Sequence, residues 1–205
     1  MRFGSALAAL LLAGCGGGGS GSNAGSGIDP RLERLDVYEA QKLRVLGDPD
    51  IGVIGMAPTP DEMIPDTGTA VFTGSATIRV EDPNAELVLF GDSSVSIGFD
   101  DGAVSGVMDN FFGTDATGDV IDYSGTINID DGGLDPALTL DYAGTLSGSG
   151  TDLVIAGVMQ GAFLDDPLGA LSGTDLEADI IYNGVPTDGT MIVIGETEGV
   201  TTAEP

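Results

Sequence analysis

The sequence predicts an all-β fold, a small soluble antiparallel β-barrel of about eight strands over residues 68–197, preceded by a flexible tether and a short helix. Three observations lead there. From Gly68 onward apolar residues recur with period two. In TAVFTGSATIRV, Ala70, Phe72, Gly74, Ala76, Ile78 and Val80 share one face, with Thr69, Thr73, Ser75, Thr77 and Arg79 on the other. The chain also holds 34 Gly among 205 residues, and turn pairs such as Asp-Gly and Asn-Gly punctuate the apolar runs. Finally, Gly74, Gly125, Gly144 and Gly157 stand on the apolar face itself, where glycine permits the sharp strand bends that a closed barrel needs.

The chain opens with Arg2 and an apolar run from Phe3 to Leu12, too short to span a bilayer and built like an export signal. The run closes on Leu12-Ala13-Gly14-Cys15, which resembles the lipobox of bacterial lipoproteins. That resemblance implies removal of residues 1–14 as a signal peptide, transfer of a diacylglycerol to the Cys15 thiol, and acylation (palmitate or a similar chain) of the new terminus. The residue types fit the chemistry, since Ala13 and Gly14 are small enough for a peptidase to reach the bond and the thiol is the nucleophile. The alternative is an ordinary signal peptide that ends beside an unrelated Cys. Cys15 is the one Cys in the chain, so no intrachain disulfide is available and packing must supply the stability.

Residues 15–27 form a Gly/Ser tether without an apolar anchor. A short amphipathic helix is expected over 28–47, with Asp29 as N-cap, Pro30 in the first turn, and Leu32, Leu35, Tyr38, Leu43 and Leu46 as its apolar stripe. Arg31, Arg34, Lys42 and Arg44 gather here, so the helix is expected to pack on the acidic domain or to lie near lipid headgroups. Residues 48–67 hold Pro49, Pro58, Pro60 and Pro65 and read as a linker or extended arm.

The barrel segment continues in the same alternation. Ile121, Tyr123, Gly125, Ile127 and Ile129 share a face, as do Leu138, Leu140, Tyr142, Gly144 and Leu146. Further strands are expected near 93–99, 103–112, 152–164, 170–182 and 189–197, with turns at Asp100-Asp101-Gly102, Asp130-Asp131-Gly132-Gly133 and Asn183-Gly184. Residues 198–205 remain as a tail. Asp122, Asn128, Asp141 and Glu177 on the outer face are too polar for contact with hydrocarbon.

Charge excludes one class of partner. With 33 acidic against 6 basic residues the net charge is −27, which argues against nucleic acid because phosphate binding requires clustered Lys and Arg. The excess serves solubility or attracts a cationic partner.

The order FTG, VSIGF-DDGAVSGVM, DYSGTI, DYAGTL, VMQGAF and GALSGTDLEADI resembles the β-barrel lobe of transferrin-binding-protein-B-like lipoproteins. The resemblance spans roughly residues 68–196 together with the lipobox. It implies an eight-stranded barrel anchored by lipid in the outer membrane, at the cell surface or the periplasmic face, that captures a protein or a small ligand. Transferrin receptors of this kind carry two lobes with handle domains; this chain has one small lobe. The resemblance assigns no binding residue.

Candidate sites are few. His is absent, which removes Ser-His and Cys-His catalysis and the commonest zinc ligand. Asp66-Thr67-Gly68 spells the DTG of aspartic proteases, but Pro65 breaks the apolar run expected before the Asp, and turn chemistry accounts for the motif. Among acidic turns, Asn128–Asp135 fails the helix-loop-helix calcium pattern, which leaves at most a weak divalent cation and no cofactor. Candidate partner-contact residues are Phe111 and Phe112 with Asp115, then Asp130, Asp131 and Asp135, then Asp165 and Asp166. The competing reading of Phe111-Phe112 places one ring in the barrel end. The expectation is a non-enzymatic, lipid-anchored binding module. The alternatives are a structural envelope lipoprotein without a dedicated ligand and, more distantly, an acid protease using Asp66.

Overall fold

Asp29 is the N-cap of helix α1 (Pro30–Leu46) as predicted, its Oδ1 accepting the Arg31 N–H at 2.9 Å. This computed structural model describes residues 29–82, 85–114, 118–134 and 137–202. The leader, Cys15, the tether, Asp115 and Asp135 lie outside the described residues.

Helix α1 ends at Gly47, whose φ of 71° is accessible to glycine at little cost. A small hairpin follows, β1 (Gly47–Asp48) with β2 (Val53–Ile54), and then a single 3₁₀ turn at Asp61–Met63. The Pro-rich linker is therefore a docked segment and not a free arm. Thr59 N–H donates to the Phe163 carbonyl at 2.9 Å, Asp165 N–H donates to the Ala57 carbonyl at 2.8 Å, and Ile64 packs against the main core.

The barrel strands are β3 (Thr69–Asp82), β4 (Ala85–Gly98), β5 (Val104–Thr114), β6 (Val120–Gly133), β7 (Thr139–Gly148), β8 (Thr151–Leu164), β9 (Ala170–Asp175), β10 (Asp179–Tyr182), β11 (Val185–Thr187) and β12 (Gly189–Glu196). The closed antiparallel barrel has eight staves, in the order β3-β4-β5-β6-β7-β8-β9-β12 and back to β3. The segment expected as one strand over 170–182 is broken. Strand β9 pairs with the Gln160–Leu164 end of β8, and β10 pairs with its Leu153–Ala156 end. The short β11 folds back on β10 through Asn183-Gly184, both at positive φ as a tight hairpin turn requires. The tail adds β13 (Val200–Thr201), which pairs with the first residues of β3.

Alternation places the side chains as predicted. Phe72, Ile78, Leu89, Ile97, Met108, Phe111, Ile127, Ile129, Leu140, Leu146 and Leu153 are fully buried and fill the interior. Asp122, Ser124, Thr126 and Asn128 stand exposed on the outer wall. Glycine has a demonstrable role at Gly144, where a Cβ would lie 2.5 Å from the Ile127 Cα and 2.9 Å from its Cγ1. At Gly157 it leaves room for the Tyr142 phenol, which donates to Asp175 at 3.0 Å where β9 parts from β8. Among the described residues no helix is long and apolar enough to cross a membrane.

Two ends follow from this topology. The linker end carries the start of β3, the loops 99–103 and 165–169, Leu134 and Leu138, and the docked linker. The opposite, hairpin end carries the turns Ser149-Gly150 and Asn183-Gly184.

Candidate functional site

Helix α1 lies along the outer wall, and its docked face differs from the predicted apolar stripe. The buried residues are Tyr38, Gln41 and Val45, while Leu32 and Leu46 are exposed. Polar groups can occupy this face because the wall satisfies them. The Tyr38 hydroxyl donates to Asp92 at 2.5 Å, Arg34 donates to Asp92 at 3.2 Å and to the Asn110 carbonyl at 3.0 Å, and Gln41 donates to the Thr73 carbonyl at 3.3 Å. Arg44 holds Glu196 through two hydrogen bonds of 2.8 and 2.6 Å. Burial, and then the bond to Asp92, push the Tyr38 phenol up to about 12, and Arg44 holds Glu196 below the usual carboxylate range.

The direction of the helix is set by its contacts. Arg31 approaches Asp122, near the hairpin-end start of β6, at 3.6 Å. Val45 is buried with Leu164, Ala170 and Ile194 at the linker end. The chain thus enters the helix toward the hairpin end and leaves it at the linker end, a position no periodicity in the sequence could have supplied.

Phe111 and Phe112 require a correction as partner contacts, since both are buried, at 1% and 2% exposure. Consecutive residues of a strand face opposite sides, and a bulge between Met108 and Phe111 shifts the parity so that Phe111 follows Met108 inward and Phe112 faces outward. Phe111 enters the barrel core. Phe112 lies under the helix, 6.2 Å from the Tyr38 ring and 6.0 Å from Phe90, with the Arg34 guanidinium 5.0 Å from its centroid. Asn110 absorbs the bulge at a φ of 53°.

The remaining acidic candidates divide cleanly. Asp130, Asp131, Asp165 and Asp166 are exposed and cluster at the linker end. Asp130 and Asp131 are not in a turn, however. They belong to the last residues of β6, where the register shifts, and the connection to β7 begins after Gly133. Asp165 adopts a φ of 80°, and its carboxylate accepts the Asp166 N–H at 2.9 Å. Among the described residues no three acidic or sulfur ligands gather to hold a metal ion.

Asp66 is exposed at the same end, and its DTG segment is a bend that leads into β3. Gly68 N–H donates to the Asp100 carboxylate at 2.8 Å, and its carbonyl accepts from Phe99 at 2.8 Å. Beside it a cleft of about 460 Å³ is lined by the linker and by Leu134, Ala137 and Leu138. Ile64, Leu134, Leu138 and Phe163 give it apolar walls, and Asp61 and Asp66 stand among them. Sequence reading missed this cleft, because Ile64 and Leu138 meet only when the linker docks on the closed barrel.

No family model and no curated protein matches this chain.

Proposed function

We propose that this protein is a non-enzymatic, lipid-anchored binding module of the outer membrane, which captures a positively charged partner at the linker end of its barrel. The observation that carries the reading is the polarity of helix α1. A lipid on Cys15 would be joined to the helix through residues 16–28 alone. Since the chain enters α1 toward the hairpin end, that end lies nearer the anchor and the linker end points outward. The outward end bears Asp130, Asp131, Asp165 and Asp166, exposed charges that steer a cationic surface. The interior is filled by side chains, so capture uses the surface and not the lumen.

The reading is tested by photo-crosslinking on intact cells from position 130 at the linker end and position 152 at the hairpin end. It expects a saturable adduct from position 130 that weakens with added salt, and none from position 152. Equal saturable yields from both would overturn capture at the linker end, and no saturable adduct at all would favour a structural envelope protein without a dedicated ligand.

A further inference from the structure

We propose that the groove shared by Lys42 of helix α1 and Arg79 of β3 is a binding site for an amphiphilic monoanion, an organic carboxylate with an apolar body. The site lies on the outer wall, apart from the linker end, and does not depend on capture there.

Strand register builds the floor. On the outer face Thr77 of β3 pairs with Phe90 of β4 and Ile192 of β12, and Arg79 pairs with Val88 and Thr190. These two rows, each crossing three strands, line one groove of about 280 Å³. Between them Ile78, Leu89 and Met191 point inward and are fully buried, which fixes the floor to the core. Phe90 is held further by Phe112, whose ring lies 6.0 Å away. Helix α1 completes the groove with Glu39 and Lys42.

Charge selects the head of the ligand. The chain carries 33 acidic and 6 basic residues, and Arg79 is the only basic residue after the helix. It shares its groove with Lys42, a half-buried side chain that has no hydrogen-bond or ion-pair partner among the described residues. The other helix cations, Arg31, Arg34 and Arg44, are each paired with a carboxylate. Lys42 thus keeps its three donors for an acceptor from outside. With Glu39 on the same groove, two cations face one carboxylate, and a single negative charge completes the balance. A dianion would meet the field of a chain at −27 with no further cation to offset it. Thr77 and Thr190, both half-buried, add hydroxyl donors for a carboxylate oxygen.

The floor selects the body. Val88, Phe90 and Ile192 offer apolar surface that a hydrated inorganic anion would leave uncovered. A volume of about 280 Å³ is just below that of drug-sized sites, roughly 300–1,000 Å³, and suits a short aliphatic or single-ring acid.

The test titrates the full chain with octanoate, octylammonium, octanedioate and acetate by isothermal titration calorimetry. Octanoate is expected to bind saturably, and the other three about tenfold more weakly or less. K42Q and R79Q should each weaken octanoate about tenfold, and D61N/D66N at the linker end should leave it unchanged. E39Q should tighten it, a gain that loss of folding cannot imitate. Equal binding of octylammonium or octanedioate would overturn the site, as would an octanoate affinity that K42Q and R79Q leave unaltered, or no saturable octanoate binding at all. None of these results bears on linker-end capture, which crosslinking from position 130 tests separately.

Discussion

The Tyr38 hydroxyl donates to Asp92 at 2.5 Å across the seam between the helix and the barrel, and Arg34 reaches the same carboxylate at 3.2 Å. Phe112 lies beneath both, so the seam joins a charge-assisted hydrogen bond to an aromatic contact. This junction is what turns a tether-proximal helix into part of the domain.

Tyr38→Phe removes the donor and leaves Asp92 to Arg34 and Asn110. The variant should lose about 1–2 kcal/mol in thermal or urea unfolding. A second readout is alkaline titration at 295 nm. Because the folded phenol is raised from 10.0 to about 12, its contribution is complete below pH 10 and is lost as pH rises toward 12. Tyr38→Phe should remove one late-ionising tyrosine from the titration curve. An unaltered curve would place the junction elsewhere.

Acid should act on the helix before the barrel. Arg31 holds the Asp29 carboxyl down at about 2 from 3.8, and Arg44 holds Glu196 below 4.5. Depressed carboxylates contribute stability above their ordinary values and lose it as pH falls through the folded ones. Amide protection factors in α1, corrected for the pH dependence of intrinsic exchange, should therefore fall between pH 4.5 and about 2 while β3 and β4 stay protected. Arg44→Gln should flatten that pH dependence near the helix C-terminus.

Gly144→Val should destabilise the domain by about 1–3 kcal/mol, since the new side chain meets the Ile127 backbone and the Thr126 carbonyl of the next strand. Differential scanning calorimetry measures this. An unchanged melting temperature would mean that β6 and β7 separate easily at this point.

The barrel was legible in the sequence because its strands obey one rule. Leu138 to Leu146 alternate and burial follows that parity, as it does over Ala70 to Val80 except at Gly74 and Ser75, where Ser75 is buried and Gly74 faces Gln41 of the helix. Departures arose where a local contact outweighed the pattern. The helix buries Gln41 and leaves Leu32 exposed, because the Thr73 carbonyl and Glu196 satisfy the Gln41 amide. The Asp130 region reads as a turn, yet a bulge carries the strand through it to Gly133. Phe111 and Phe112 are indistinguishable by composition, and only the bulge at Asn110 decides which ring enters the core. The linker-end cleft depends on contacts between residues about 70 to 100 positions apart, which no window of sequence contains.

The most direct measurement is membrane fractionation of cells carrying Cys15→Ser. Several acyl chains contribute about 0.8 kcal/mol per buried methylene, whereas a chain without them has no comparable hold on the bilayer. Arg31, Arg34 and Arg44 are engaged with barrel carboxylates, so the helix has little free charge to offer lipid headgroups. The account predicts that the unaltered protein sediments with membranes and that the Ser variant moves to the soluble fraction with its fold intact. A Ser variant that still sediments with membranes would contradict it.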